Sequence, residues 1–391
     1  MAVSASYRIL FFSACVIFAS TQPEGLIVVQ DSDNDNPVDQ VVKDTLQSGL
    51  TTVFLPIIYI IVFALGFPSN AMAIWVLLFR SKKIYPSAIY MGNLALADLM
   101  FVIWTPLKIA YHLKGNNWTY GEGMCKVLVG FFYGNMYCSI LFITCLSVQR
   151  YWVCAHPLSH QRKNNKFAII VSVCIWIFIW VSTTPLYLYK QTFESAELNI
   201  TTCHDINFVS QENYQTENMF LDVQLPYYYF MVMAGLVFFI PMLVIIAAYV
   251  LLLRSLGNSA VEGSAGKTRQ RAVVLIVTVL ITFLVCFIPS NVMLVLHYSV
   301  QEKSWANKSY GFYITTLCLA SLNSCLDPFI YYYVSDEFRK HVKNTLLCRS
   351  SRTLDRMRVL FRSMKYSKKN NTSKHRPHEK QHLRERVDMG R

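Results

Sequence analysis

Residues 88–112 read AIYMGNLALADLMFVIWTPLKIAYH, and only Asp98 and Lys108 in that run carry a formal charge. Wound as an α-helix at ~1.5 Å per residue, the run is longer than the ~30 Å hydrocarbon core of a bilayer. It predicts a membrane-spanning helix. Similar runs flank it on both sides, giving predicted spans over 52–79, 88–112, 124–154, 167–189, 224–253, 270–298 and 309–334. Pro68, Pro106, Pro185, Pro241, Pro289 and Pro328 fall within or near these spans. Neighbouring helices in a bundle can satisfy the backbone groups that a proline frees. The whole chain of 391 residues is 54% apolar and only 15% charged, against about 25% charged in soluble domains. A soluble globular protein, a coiled coil and bulk disorder are all excluded. The fold class expected is an all-α membrane protein, a seven-helix bundle.

Charge placement orients the bundle. Arg80, Lys82 and Lys83 follow the first span, Arg162, Lys163 and Lys166 the third, and Arg254, Lys267, Arg269 and Arg271 the fifth. Basic loops stay on the cytoplasmic side, so the C-terminus is expected inside and the N-terminus outside. The loop before the fifth span is acidic (Glu194, Glu197, Asp205, Glu212, Glu217, Asp222) and is expected outside. Residues 1–20 have the charge and length pattern of a signal peptide, with a signal anchor as the alternative. Residues 21–51 then form an extracellular segment, whose run Asp31-Ser32-Asp33-Asn34-Asp35-Asn36-Pro37 predicts disorder. The seven-helix domain covers 52–334.

Phe338, Val342, Leu346 and Leu347 give residues 335–348 one apolar helical face, ending at Cys348, a candidate palmitoylation site or a free tail cysteine. The tail 349–391 carries net charge +10 within a total of +13. On a polytopic chain this reads as a tail beside anionic lipid rather than a nucleic-acid binder. Sequons at Asn117, Asn199 and Asn307 fall in predicted outer loops; those at Asn370 and Asn371 lie in the tail and are expected to stay unmodified.

Nothing points to an enzyme. The scattered histidines lack metal-site spacing, and Val261 stands where a phosphate loop ending Gly266-Lys267-Thr268 needs glycine. A transporter would show internal repeats or half-helices, and neither is present.

The motifs inside the spans are more specific. Gly66-Phe67-Pro68-Ser69-Asn70, Asn93-Leu94-Ala95-Leu96-Ala97-Asp98, Trp176, Cys286-Phe287-Ile288-Pro289 and Asp327-Pro328-Phe329-Ile330-Tyr331 follow one another in the order and spacing of rhodopsin-like G-protein-coupled receptors. The chain resembles that family over about residues 50–348. Phe287 replaces its usual Trp, Asp327 its usual Asn, and Gln149-Arg150-Tyr151 its acid-Arg-Tyr. Longer stretches, Gly130-Phe131-Phe132-Tyr133-Gly134-Asn135 and Thr201-Thr202-Cys203-His204-Asp205, are similar to protease-activated receptors.

The resemblance implies roles residue by residue. Cys125 and Cys203 would form an outer disulfide. Arg150, Tyr249, Phe287, Pro289, Asp327, Pro328 and Tyr331 would form the coupling and switch set, with heterotrimeric G proteins and arrestin as partners. Asp98, Ser139, Asn323 and Asp327 match a sodium-binding pattern; a hydrogen-bonded protonated acid is the alternative. No other cofactor is expected. Activation would follow cutting of the outer segment by a trypsin-like serine protease, which unmasks a tethered peptide agonist. Tyr59, Tyr133, His204, Asp205, Tyr310 and Tyr313 are candidates for binding that peptide, against plain loop packing and helix anchoring. The departure lies upstream: residues 21–42 contain no Lys or Arg, and Lys43 is the only basic residue between 21 and 51. A receptor for a free peptide or other soluble ligand is the alternative.

Overall fold

A computed structural model describes residues 37–80, 85–155, 165–188, 190–195, 198–204, 225–258, 264–299, 309–334, 338–340 and 342–343. It divides into two units, residues 1–335 and 336–391. In the first, six helical stretches are long and apolar enough to cross a membrane: Val42–Phe79, Pro86–Leu113, Gly121–Val153, Asn165–Tyr187, Leu225–Ser255 and Val273–His297. A seventh crossing is made by two shorter helices, Tyr310–Ala320 and Asn323–Val334, with a turn at Ser321 and Leu322 between them. Neither alone reaches the ~20 residues a crossing needs.

The helices, in chain order, are α1 (Pro37–Gln47), α2 (Leu55–Ile61), α3 (Phe67–Phe79), α4 (Pro86–Val102), α5 (Thr105–Leu113), α6 (Gly121–Ala155), α7 (Asn165–Thr183), α8 (Leu225–Met233), α9 (Ile240–Asn258), α10 (Ser264–Thr282), α11 (Ile288–Ser299), α12 (Tyr310–Ala320) and α13 (Asn323–Val334). Strands β1 (Thr192–Ser195) and β2 (Ile200–Cys203) form an antiparallel hairpin after α7, with Thr192 opposite Cys203 and Ser195 opposite Ile200.

Prolines explain where the spans deviate from straight α-helix. Wide π-helical turns at Leu50–Phe54, Val62–Gly66, Ala234–Phe239 and Phe283–Phe287 each end two residues before a proline: Pro56, Pro68, Pro241 and Pro289. Proline offers no N–H, and its ring pushes on the carbonyl four residues back. Widening the preceding turn relieves both. Pro106 marks the break between α4 and α5, and Pro185 lies in the 3₁₀ turn Thr184–Tyr187 that closes the fourth span.

One expectation fails here. Disorder was expected through residues 21–50, but the described part of that segment, from Pro37 on, is helical apart from a bend at Ser48. Proline suits a first helical position. Val42 and Leu46, four apart and so on one face, are both buried.

The third span is the central pillar, with 78% of its apolar window buried, against 28% for the fourth, which lies at the periphery. Polar links cross between spans. Trp176 Nε1 donates to Asn93 Oδ1 (2.8 Å), and Ser147 Oγ donates to the Tyr249 hydroxyl (2.8 Å). Large apolar residues such as Leu65, Leu78, Val181 and Leu284 are exposed along the spans, as lipid-facing positions must be. In the second unit the described residues, 338–340 and 342–343, are helical. Cys348 lies outside the described residues.

Candidate functional site: the outer mouth and a buried acid pair

At one end of the bundle the β-hairpin is fastened to the start of α6. Cys125 and Cys203 are joined by a disulfide with an S–S distance of 2.03 Å. His204 follows, with φ +64°, in the left-handed region. Its N–H donates to Gln191 O (2.8 Å), its Nδ1 meets Gln191 Oε1 (2.9 Å) and its Nε2 meets the Tyr133 hydroxyl (2.8 Å). His204 therefore ties the end of β2 both to the residue before β1 and to the central pillar.

Below the hairpin is a cavity lined by Tyr59, Trp104, Lys108, His112, Phe132 and His204 among others. Its free space is about 40 Å³, enough for a few waters, and it is open rather than enclosed. Lys108 Nζ donates to Cys203 O (3.3 Å) and lies 4.7 Å from the Tyr111 ring centre. His112 stacks on Tyr59 with ring centres 5.6 Å apart.

The N-terminal helix is strapped to the same end. Asn116, fully buried and at φ +62°, donates through Nδ2 to Leu46 O (2.6 Å) and Thr51 Oγ1 (3.0 Å). Its Oδ1 meets His112 Nδ1 (2.7 Å). Of the residues expected to meet the agonist, Tyr59 and His204 line the cavity, and Tyr133 stands behind His204. Tyr310 and Tyr313 are buried, and Tyr313 stacks on His297 at 4.2 Å; neither is among the cavity-lining residues. Asp205 and Asn307 lie outside the described residues. Asn199 is exposed at the hairpin turn, whereas Asn117 is half-buried and accepts the Thr201 N–H through Oδ1 (3.2 Å).

A second polar cluster is buried mid-bundle. Asp98, Ser139, Asn323, Ser324 and Asp327 are all at most 1% exposed. Asp98 Oδ1 accepts from Asn135 Nδ2 and from Ser324 Oγ, both at 2.9 Å, and the Tyr331 hydroxyl donates toward Oδ2 at 3.4 Å. Asn323 Nδ2 donates to Ser139 Oγ (3.1 Å). The Asp98 and Asp327 carboxyls are close enough to repel one another. Among the described residues no donor side chain reaches either Asp327 oxygen, and its carboxyl faces that of Asp98. Two buried acids facing one another need a proton or a small hard cation between them. The residues present fit a sodium ion: carboxylate, amide and hydroxyl oxygens from three spans. Asn135 and Ser324 extend the set that the motifs alone picked out.

A sequence model described as 7 transmembrane receptor (rhodopsin family) matches residues 69–331. The chain belongs to that family. Among curated relatives it is 54% identical to proteinase-activated receptor 2 of Homo sapiens, over 86% of this chain and 82% of the relative. It is 53% identical to the receptor 2 of Mus musculus, over 85% and 81%. Proteinase-activated receptor 1 of Xenopus laevis is 38% identical over 78% and 69%. The protein is thus a rhodopsin-family receptor closely related to proteinase-activated receptor 2, a multi-pass membrane protein and not an enzyme.

The remaining expected residues of this receptor lie on several elements. Arg150 is half-buried near the end of α6 and makes contacts of its own. Gln149 Oε1, beside it, is buried with no hydrogen-bond partner among the described residues. Tyr249 is 4% exposed and held by Ser147, and Phe287 is fully buried with its ring edge-on to Phe283 at 5.1 Å. Pro289 is the second residue of α11, and Pro328 lies inside α13. Tyr331, assigned with Tyr249 to the coupling cavity, spends its hydroxyl on Asp98 and so belongs with the acid pair in this structure. Lys43 is half-buried within α1.

Some participants escaped the motif reading. Asn135 is a polar residue within an apolar span, which is itself a signal for a buried partner. Asn116 and Gln191 sit in turn and loop composition, where nothing local distinguishes them.

Proposed function

We propose that this receptor sits in the plasma membrane with its N-terminus outside and responds to a peptide presented at the hairpin end, passing the signal to heterotrimeric G proteins of the Gq type, with arrestin as a second partner. The observation that carries the reading is the cavity between the pinned hairpin and the central pillar, with His204 at its wall. The orientation is supported by the basic loops and by a disulfide at the same end, since disulfides persist in oxidising compartments. Proteolytic activation is inferred from the relatives' name: a trypsin-like serine protease would cut the outer segment and unmask a tethered agonist. Tethering raises effective concentration, so modest intrinsic affinity suffices. Asp205 would pair with the agonist's positive group, and Asp205→Asn would lower peptide potency about ten- to a hundred-fold through loss of a charged hydrogen bond.

A second reading has an observation of its own. The only basic residue between 21 and 51 is Lys43, half-buried in a helix. A protease that reads an extended strand would first have to unwind it. The receptor would then respond to a free peptide, or to a protease with another preference. Sodium at Asp98 and Asp327, with Ser139, Asn323 and Asn135 around it, would neutralise the acid pair. Cys348 palmitoylation and glycosylation at Asn117, Asn199 and Asn307 belong to the same proposal.

Intracellular calcium decides between the readings. Cells expressing the receptor receive either a trypsin-like protease or a synthetic peptide beginning Ser-Leu-Ile-Gly, the type of tethered agonist that the resemblance implies and that residues 21–51 of this chain do not contain. Responses to both support tethered activation; a response to peptide alone supports the second reading; silence to both at good surface level overturns the proposal. Arg150→Ala should abolish the response with surface level kept, and a full response from that mutant would remove Arg150 from coupling.

A further inference from the structure

Glu122, in the first turn of α6, belongs to none of the motifs above. An acid at a helix N-terminus has an ordinary explanation, since it complements the helix dipole. An ion pair with Lys126, one turn on at 3.4 Å, is equally ordinary. Both oxygens, however, are turned onto the hairpin. Oε1 accepts the Gln191 N–H (2.8 Å), and Oε2 accepts the Thr192 N–H (2.9 Å) together with the Thr192 hydroxyl. The carboxylate thus takes two successive main-chain donors, from the residue before β1 and the first residue of β1, in charge-assisted bonds stronger than neutral ones.

The disulfide and this carboxylate divide the work. Cys125, three residues after Glu122 and so on the same helix face, fastens the end of β2 through Cys203. Glu122 fastens the start of β1. Further bonds fall on the β2 side, from the Trp118 N–H to Thr201 O (2.6 Å), from the Thr201 N–H to Asn117 Oδ1 and from Lys108 Nζ to Cys203 O; Glu122 supplies the charged fastening on the β1 side.

The consequence reaches the cavity. Gln191, whose N–H Glu122 holds, donates through Nε2 to Leu186 O (3.0 Å). A carbonyl only accepts, so Gln191 must present Oε1 to His204 as an acceptor. A neutral His204 then carries its proton on Nδ1, and its Nε2 accepts from the Tyr133 hydroxyl. Position and tautomer of a cavity-wall histidine are set by a chain that begins at Glu122.

We propose that Glu122 is a positioning residue for the agonist cavity: it clamps the first hairpin strand to the central helix so that Gln191 presents His204 in one orientation and one tautomer. The proposal rests on the receptor reading above for its functional arm, and on main-chain geometry alone for its structural arm.

The functional arm compares calcium dose–response curves for the Ser-Leu-Ile-Gly peptide at matched surface level. Glu122→Ala should lower potency roughly ten-fold, the scale of a lost charge-assisted hydrogen bond. Glu122→Gln, which keeps the shape but puts an amide donor against one main-chain N–H, should fall between. Lys126→Met, which breaks only a partly exposed i,i+4 pair, should change potency less than two-fold. Glu122→Ala added to His204→Ala should cost nothing further, because the two act in one chain. Full additivity, or equal effects of Glu122→Ala and Lys126→Met, would overturn the clamp.

The structural arm uses purified receptor and amide hydrogen exchange. In Glu122→Gln the 190–195 peptide should exchange at least ten-fold faster with the Cys125–Cys203 bond intact by mass mapping. Unchanged exchange would overturn the proposal even if potency fell. Should the wild type ignore the peptide, the receptor reading fails, and the exchange measurement still decides the clamp.

Discussion

The hairpin end and the acid pair are both polar clusters within an apolar bundle, and they differ in how their charged and titratable groups are met. At the hairpin end His204 is engaged through both ring nitrogens and its N–H, Asn116 through both ends of its amide, and the start of the hairpin is held at Gln191 and Thr192, although Thr105 Oγ1 in the cavity wall has no hydrogen-bond partner among the described residues. In the middle of the bundle Asp98 accepts from several donors, but its neighbour Asp327 meets no donor side chain among the described residues and faces the Asp98 carboxyl. A satisfied network fixes one geometry; a partly satisfied one is costly and stays responsive to whatever supplies the missing charge. That difference makes the outer cluster the one expected to keep its geometry and the inner one the one expected to respond to an added proton or cation.

The largest expected effect tests the rigid side. Cys125→Ser or Cys203→Ser opens a loop closed over a sequence separation of 78, worth about 4 kcal/mol in a chain-entropy account. Surface delivery and peptide response should both collapse. Normal delivery and potency would mean that the noncovalent fastenings suffice.

Tyr133→Phe is narrower. It removes the donor to His204 Nε2 and leaves a buried nitrogen unsatisfied, a loss of about 1–3 kcal/mol. Peptide potency should fall with surface level unchanged. An unshifted dose–response curve would separate His204 orientation from agonist binding and weaken the contrast.

The responsive side is tested with salt. If a sodium ion fits between the acids, the purified receptor should melt higher in sodium chloride than in choline chloride, by about 1.4 kcal/mol at ten times the dissociation constant. Asp98→Asn and Asp327→Asn should each erase the difference. A sodium effect that survives both substitutions places the ion elsewhere.

Asn116→Ala should give the smallest change in signalling. Leu46 O still accepts from Thr51 Oγ1 (2.8 Å), but His112 Nδ1 loses its partner and the alanine takes a left-handed backbone, so the loss should be about 2 kcal/mol of thermal stability. Faster exchange confined to residues 42–51 would show the strap loosening. A drop as large as that of the cysteine variants would mean that α1 is integral to the bundle rather than strapped on it.

Much of this architecture was legible in the chain, because a bilayer imposes rules a sequence must display openly. A run such as 88–112 has to be apolar and long, the cytoplasmic loops have to carry the basic residues, and an acid such as Asp98 inside a span has to have a purpose. Those rules act over one helix at a time. Prolines such as Pro241 and Pro289 marked the sites of altered helix geometry for the same local reason.

What the sequence could not determine was which polar atoms meet across the bundle. Asp98 with Ser324, Tyr133 with His204, Glu122 with Gln191 and Thr192, and Asn116 with Leu46 are separated by 226, 71, 69, 70 and 70 residues. Tyr331 carried a motif, yet only the packing of α13 against the second span turned its hydroxyl to Asp98. The helix Pro37–Gln47 likewise defied an Asp/Asn-rich approach, since Val42 and Leu46 form a helix face that is stable only once there is a bundle to bury it. The sequence by itself determined the spans and the kind of protein, because burial in lipid constrains each residue alone. Tertiary structure decided the partners, because a hydrogen bond is a relation between two residues that local composition does not encode.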